Sequence, residues 1–396
     1  MRTSNFAVAV LGFFISISSF TVSARSNNPE GIMYGSTVFK PSASIEIERD
    51  DNIFIEESNS ESTTLYLLSA GLNTSTVLSR QSEFEVNASI ENGDYNGRND
   101  ENFTDISVEA SYLFEPSVKF NSFVTLALTD THEQNYLESL STRQELDTYK
   151  LKELSGGFEY GLKKIGHPVV EASIRTRSRR HEQNFENKSR DELILEAAVK
   201  FPISPNMIPR VEASLKQFEY RTAIERDNRE AQIRIGTDWQ ITAISTLKGR
   251  IGYQTKNFKR DSFDDDRTFT WKISYEWEPE DDTILTLTTS QEFSEADDSN
   301  AIDASHDNRK VTTLSWEQPW TRIFDTELVI GKVLVDSIST SNTDTDKRNF
   351  VTLSGNYLFS NIITLKAGIG KSSYDLETSG IDTDSNTLSI SLEIAL

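Results

Sequence analysis

The stretch RTFTWKISYEWEP, residues 267–279, alternates without a break. Phe269, Trp271, Ile273, Tyr275 and Trp277 are large and apolar or aromatic, while Thr270, Lys272, Ser274 and Glu276 between them are polar. A period of two means a β-strand, because successive side chains leave the backbone on opposite faces. The order within the apolar row is informative. Phe269 and Trp271 stand toward one end, Tyr275 and Trp277 toward the other, with Ile273 between. That is the order of aromatic girdles on a strand that crosses a bilayer.

One such strand also suits a soluble sandwich, so the rest of the chain decides. From about residue 37 onward the same alternation recurs in about eighteen segments of roughly 10–14 residues, a length that suits tilted membrane-crossing strands. Plain rows are Phe84-Val86-Ala88-Ile90, Ile106-Val108-Ala110-Tyr112-Phe114 and Leu193-Leu195-Ala197-Val199-Phe201. Others are Val351-Leu353-Gly355-Tyr357-Phe359 and Leu388-Ile390-Leu392-Ile394-Leu396 at the C-terminus. Segments near 40–48, 283–292 and 324–336 alternate less cleanly, which puts the count in a range of about 16–18.

The connections take turns between two kinds. Short ones are SRQS at 79–82, EPS at 115–117, KIGHP at 164–168, ISPNM at 203–207 and FSNI at 359–362. Long, mostly acidic ones occupy 49–63, 130–148, 294–309 and 375–386. Tight turns on one side and long loops on the other are the layout of an all-β, up-and-down antiparallel transmembrane barrel. Only 36% of the 396 residues are apolar, low for a soluble chain of this length but natural where alternate residues face water. The 22 Phe, 12 Tyr and 5 Trp in regular alternation argue against a disordered chain. There is no cysteine, so disulfides and thiolate metal sites are excluded, and a net charge of −22 speaks against nucleic acid as a partner.

The N-terminus carries Arg2, a short apolar core over 6–20, and Val22-Ser23-Ala24, which has the form of a cleavage signal. The expected organisation is a signal peptide at 1–24, a short periplasmic segment at 25–36 and an outer-membrane barrel over 37–396. No later apolar run reaches the ~20 residues of a spanning helix.

With the apolar rows turned to lipid, the alternate rows line the lumen, and their charges separate along the chain. A basic arc comprises Arg175, Arg177, Arg179, Arg210, Lys216, Arg234, Lys248, Arg250, Lys256 and Lys272, with Lys200 alongside. An acidic arc comprises Glu83, Glu85, Glu91, Asp105, Glu109, Glu153 and Glu159. Two readings stand side by side. The arcs could face one another and set a transverse field across the passage, or the charges could pair between neighbouring strands and simply solvate the wall. The acidic stretches at 264–266 and 295–298 offer oxygen ligands for divalent cations, but they lack the spacing and glycine of a calcium loop, and a solvated loop is the expectation.

Catalytic chemistry is not found. His132, His167, His181 and His306 form no metal-binding spacing and are expected in loops and one turn, open to solvent. GIGKSS at 368–373 lacks the leading glycine of a phosphate loop and falls inside a strand, and no nucleophile elbow is present. Asp130 with His132, or Asp303 and Asp307 with His306, could form an acid–base pair, but no motif surrounds them. The expectation is a channel with no cofactor, and no enzyme.

KPSASIEIERDDNIF at 40–54, the Gly71-Leu72 pair and DYNGRND at 94–100 resemble elements of the β-barrel porins encoded in exopolysaccharide and capsule operons of Gram-negative bacteria, an EpsL-like family. The resemblance in motif covers about the first third, and in layout the whole chain. It implies assistance in passing surface polysaccharide across the outer membrane, with no catalytic residues. One departure is Leu396, where many outer-membrane barrels end in Phe or Trp; this bears on recognition by the assembly machinery rather than on the fold. The combined expectation is passage of a polar, anionic polysaccharide guided by the basic arc. General diffusion of small hydrophilic solutes is the alternative, and a structural or adhesive barrel stands third. The partners are then outer-membrane lipid and lipopolysaccharide, the solute, and the assembly machinery. The 130–148 loop is the expected constriction.

Overall fold

The computed structural model describes residues 31–58, 60–133, 146–182, 184–280, 282–295, 304–339 and 343–396. The alternating segments become strands, in order β1 (Ile32–Tyr34), β2 (Thr37–Asp50), β3 (Thr63–Ser79), β4 (Ser82–Tyr95), β5 (Phe103–Ser117) and β6 (Phe120–Glu133). Next come β7 (Asp147–Gly161), β8 (Val169–His181), β9 (Arg190–Lys200), β10 (Met207–Tyr220), β11 (Asn228–Thr242) and β12 (Ser245–Phe258). The last are β13 (Asp266–Glu280), β14 (Thr283–Ser294), β15 (Ala304–Pro319), β16 (Phe324–Ser339), β17 (Thr343–Ser360), β18 (Ile363–Leu376) and β19 (Ile381–Ala395).

From β2 to β19 each strand pairs antiparallel with its neighbour in sequence, and β19 pairs with β2 through Leu392↔Ile45 and Ile390↔Ile47. The eighteen strands therefore close on themselves and leave no edge to template aggregation. One short edge would remain, because β19 stops opposite Ser42 while β2 begins at Thr37. The hairpin strand β1 covers it, with Ile32 opposite Phe39.

The connections sort as the sequence suggests, but the strands run further than expected. Of the stretch 375–386, read as a long loop, only residues 377–380 connect β18 to β19, and the rest continues the ladder with Asp375↔Asp382. Polar residues such as Asp382, Asp384 and Asn386 keep the pleat because the strands extend past the apolar belt, where their outer face is exposed to water while Thr383 and Ser385 on the other face bond residues 50–56. In the same way β15 already begins at Ala304, inside the 294–309 stretch. The signal-peptide segment lies outside the described residues, as does most of 130–148.

Most buried apolar side chains gather at the loop end of the barrel, with Val169 and Ala198 at the turn end. Residues 51–58 fold back so that Ile55 packs on Tyr374 and Leu376 of β18, all three nearly without exposure. Burial of such side chains stabilises by about 1.5–3 kcal/mol each. Asn52 fastens the same segment, its Nδ2 donating to the Glu56 carbonyl at 2.9 Å and to the Asp384 carbonyl at 3.1 Å.

Candidate functional site: the charged inner wall

The two faces of the sheet differ in kind. One carries the exposed apolar rows, such as Ile45 and Ile47 on β2, Ile233 and Ile235 on β11, and Leu388 and Ile390 on β19. The other carries polar bonds that skip a strand. Arg250 of β12 reaches Glu212 of β10 at 2.9 Å, Arg210 of β10 reaches Glu171 of β8 at 3.5 Å, and Arg179 of β8 reaches Glu133 of β6 at 3.5 Å. Side chains two strands apart converge only on the concave side of a curved sheet, so this row faces the lumen.

On β7 to β12 the lumen row is a lattice of ion pairs. Glu153 receives Arg177 at 2.6 Å and Arg175 at 3.3 Å, and Arg177 also lies 3.8 Å from Glu192. Glu212 is shared by Arg210 at 2.7 Å, Arg250 at 2.9 Å and Arg234 at 3.2 Å. Arg250 uses its whole guanidinium, donating also to Asp238 at 2.6 Å and to the carbonyls of Thr237 and Gly249 at 2.8 Å. Lys200 bonds Glu171 and lies 3.4 Å from Glu159, and Lys216 lies 3.4 Å from Glu230. Shared carboxylates of this kind satisfy half-buried cations that would otherwise carry a large desolvation cost. Lys272 stands opposite Arg250 in the ladder. Lys248 is exposed, and no ion pair or hydrogen bond is drawn to it among the described residues.

Glu153 and Glu159, grouped in sequence with the acidic arc, instead neutralise this basic wall; Glu159 holds Lys163 at 2.6 Å as well as Lys200. The rest of the acidic arc differs. Glu91 accepts from Ser69 at 2.9 Å and Glu83 from Ser75, while no cation bonds Glu83, Glu85, Glu91 or Glu109 among the described residues. Asp105 accepts from Thr131 at 2.7 Å and lies 3.1 Å from His132.

The family comparison bears on what such a wall belongs to. A family model described as "Putative beta-barrel porin 2" matches residues 25–396. This chain belongs to that family. Among solved structures the porin is similar to OccAB3 of Acinetobacter baumannii, at 10% identity and a TM-score of 0.51, covering 92% of this chain and 100% of the other. It is similar too to Pseudomonas aeruginosa OpdK solved with vanillate, at 11% identity and 0.53, covering 90% and 99%. For P. aeruginosa OccK5 (OpdH) the values are 9% and 0.52, covering 91% and 98%. These likenesses speak for the fold. No curated protein matches the sequence. The porin is an outer-membrane β-barrel protein of the Gram-negative type.

On the outer face, Phe269 of the porin packs edge-on against Tyr253 with ring centroids 5.6 Å apart, and Trp271 donates to Thr289 at 3.1 Å. Tyr275 and Trp277 share that face nearer the turn. Three of the histidines expected in solvent are not there. The side chains of His181 and His306 are essentially unexposed, and that of His132 is 7% exposed against the Phe103 ring. They sit at strand ends that the sequence assigned to loops.

His181 belongs to a buried group with Glu133 and Asp147 whose ligand atoms lie within 4.8 Å of one another. Lys188 closes it, its ammonium 2.6 Å from Glu133 and 2.7 Å from Asp147, while His181 Nδ1 bonds Asp147 at 2.7 Å. The ammonium occupies the position a divalent cation would need and supplies positive charge there. The donor set is therefore already satisfied by the protein's own cation and does not fit a metal.

The other element that sequence reading missed is Glu295, just past β14. It bonds Lys256 and the Tyr220 hydroxyl, and it accepts from Asn228 Nδ2 at 3.2 Å. Burial alone would raise its pKa, but Lys256, Arg190 and Arg226 outweigh that and hold the carboxyl at about 2. Only the acidic run 295–298 marked it in sequence, and a run of acids gives no hint that one of them turns inward.

Proposed function

We propose that this porin passes small hydrophilic solutes and prefers cations. The observation behind the reading is the unequal state of the two arcs. The basic arc is matched by carboxylates through most of its length, whereas Glu83, Glu85, Glu91 and Glu109 face the lumen without a bonded cation among the described residues. Paired charges largely cancel at a distance, so the uncompensated carboxylates dominate the field met by a passing ion.

The second reading is passage of an anionic surface polysaccharide, in line with the exopolysaccharide resemblance. It is supported by the lengthwise row Arg175, Arg177, Arg179, which offers a track for acidic sugars, and by Lys248, which has no ion pair among the described residues. That OpdK was crystallised with vanillate, an anion, is compatible with anionic cargo on this fold but carries no weight at 11% identity. Lipid and lipopolysaccharide around the apolar belt, and the assembly machinery, are the partners that either reading implies.

Single-channel recording in a planar bilayer under a salt gradient tests the choice. A reversal potential of cation-selective sign, with current indifferent to anionic oligosaccharide, supports the first reading. Anion-selective sign with oligosaccharide block that weakens on neutralising Arg175 and Arg177 would replace it by the second.

A further inference from the structure

The β13–β14 ladder stops at Trp271↔Gln291, yet both strands continue toward the loop side. Above that point β13 pairs only with β12, as far as Lys256↔Asp266, and β14 only with β15, as far as Ser294↔Asp307. The two strands have parted, and hydrogen bonds record where β14 goes. Thr270 Oγ1 donates to the Gln291 carbonyl at 2.6 Å, and Gln291 Nε2 donates to Thr268 Oγ1 at 2.9 Å. The Phe293 N–H donates to Gln254 Oε1 at 3.1 Å. Thr268, Thr270 and Gln254 are lumen-row side chains of β12 and β13, so the end of β14 lies on their inner surface.

One residue further, Glu295 reaches Asn228 at the start of β11 and Tyr220 at the end of β10. Neighbouring strands are about 4.8 Å apart, so β14 and β11 are separated by roughly 14 Å along the wall. Glu295 meets Asn228 only by leaving the wall and crossing its concave side. The returning arm follows, with His306 Nε2 3.1 Å from Asp266 and its ring edge-on to Phe293 at 4.7 Å. The covered wall shows the same thing by exposure. Asn228, Gln254, Lys256 and Thr270 are all 0% exposed, which polar side chains on an open lumen face cannot be.

We infer that the inturned ends of β14 and β15, as far as Glu295 and His306, narrow the loop-side mouth of the lumen, and that Glu295 is the positioning residue that holds them there. It thereby sets the size of hydrophilic solute the mouth admits. The inference rests on the channel reading, and its test separates the two. The chain has no cysteine, so the double variant Glu295→Cys with Asn228→Cys carries a single thiol pair. In strands lying along the wall those positions are roughly 14 Å apart, whereas in the inturned arrangement the ends of the two native side chains meet at 3.2 Å, which brings thiols there within reach of a one-carbon, reducible bis-thiosulfonate cross-linker.

The variant is refolded in lipid vesicles, its barrel verified by heat-dependent gel mobility, and then treated with that cross-linker. Cross-link formation, followed by an increase in single-channel conductance on reduction, supports the inference, because reduction releases strand ends that have lost their carboxylate anchor. Glu295→Gln alone is expected to raise conductance in the same direction. Failure of the cross-link to form in folded protein overturns the inturned placement. A cross-link that forms while conductance stays the same on reduction overturns the constriction. No current in either state, nor in the unaltered protein, overturns the channel reading and the constriction with it.

Discussion

Replacing Lys256 by Met tests the anchoring of the hairpin most directly. The Lys256 ammonium is unexposed, bonds Glu230 at 3.0 Å, and pairs with Glu295. The two carboxylates are left in different states. Glu230 keeps Gln254 at 2.8 Å and Lys216 at 3.4 Å, whereas Glu295 keeps the hydrogen bonds of Tyr220 and Asn228 and the more distant charges of Arg190 and Arg226. Removing one partner of a buried pair costs about 3–5 kcal/mol, mostly through the charge left behind. The depressed carboxyl gives an independent scale. A fall from 4.5 to about 2 corresponds to about 3 kcal/mol of preference for the charged form in its site.

Lys256 shares that preference with Arg190 and Arg226, so its removal costs up to about 3 kcal/mol, which multiplies the undocked population by up to roughly 100-fold. The assay is guanidinium unfolding in lipid vesicles, followed by gel mobility, for Lys256→Met, Glu295→Gln and the double variant. The single lysine variant should lose the most. The double variant should recover much of that loss, since deleting both charges leaves no orphan. Additive losses in the cycle, with no recovery, would refute the view that Lys256 and Glu295 act as one unit.

Other outcomes follow from the same geometry. Because the docked Glu295 carboxyl lies below its ordinary value, its contribution is fully present above about pH 4.5 and drains away as pH falls through about 2. Conductance should therefore not step upward through this group between pH 7 and 5, and should rise only in strong acid, as bilayer recording at stepped pH will show. Gly252→Ala should be harder to fold, since a Cβ there would lie 1.9 Å from the Ile233 carbonyl oxygen, which belongs to backbone and cannot swing aside; a cost of about 1–3 kcal/mol is expected in the same unfolding assay. Glu85→Gln with Glu109→Gln should move the reversal potential away from cation selectivity without loss of stability in unfolding, because neither carboxylate bonds a cation among the described residues.

The period of two carried the barrel, its strand count and the sorting of its connections, since a membrane strand must show lipid and water on alternate residues. It carried less well where the strands leave the bilayer. Asp382, Asp384 and Asn386 read as loop because nothing apolar alternates there, yet ladder bonding to β18 keeps them extended. The charges of the wall were legible as residues but not as partners. Glu153 lies on β7, among the early acids in sequence, and only register shows that it faces Arg177. The burial of His181 and His306, and the crossing of Glu295 to β10, arise from strand curvature and a parted ladder, which no local pattern encodes.

The fold-back of residues 51–58 over β18 and β19 has a consequence in time rather than space. Asn52 bonds Thr383 across 331 positions of sequence, and Ser385 bonds Asp50 across 335. Contacts between chain ends this far apart carry the largest loop-closure cost and form late. The seam between first and last strands is thus a fastening made after the wall has been laid. Weakening it at Asn52 or Ile55 should leave the rate of insertion nearly unchanged while hastening the opposite process, so that the barrel's lifetime, more than its assembly, is governed by one short segment at its beginning.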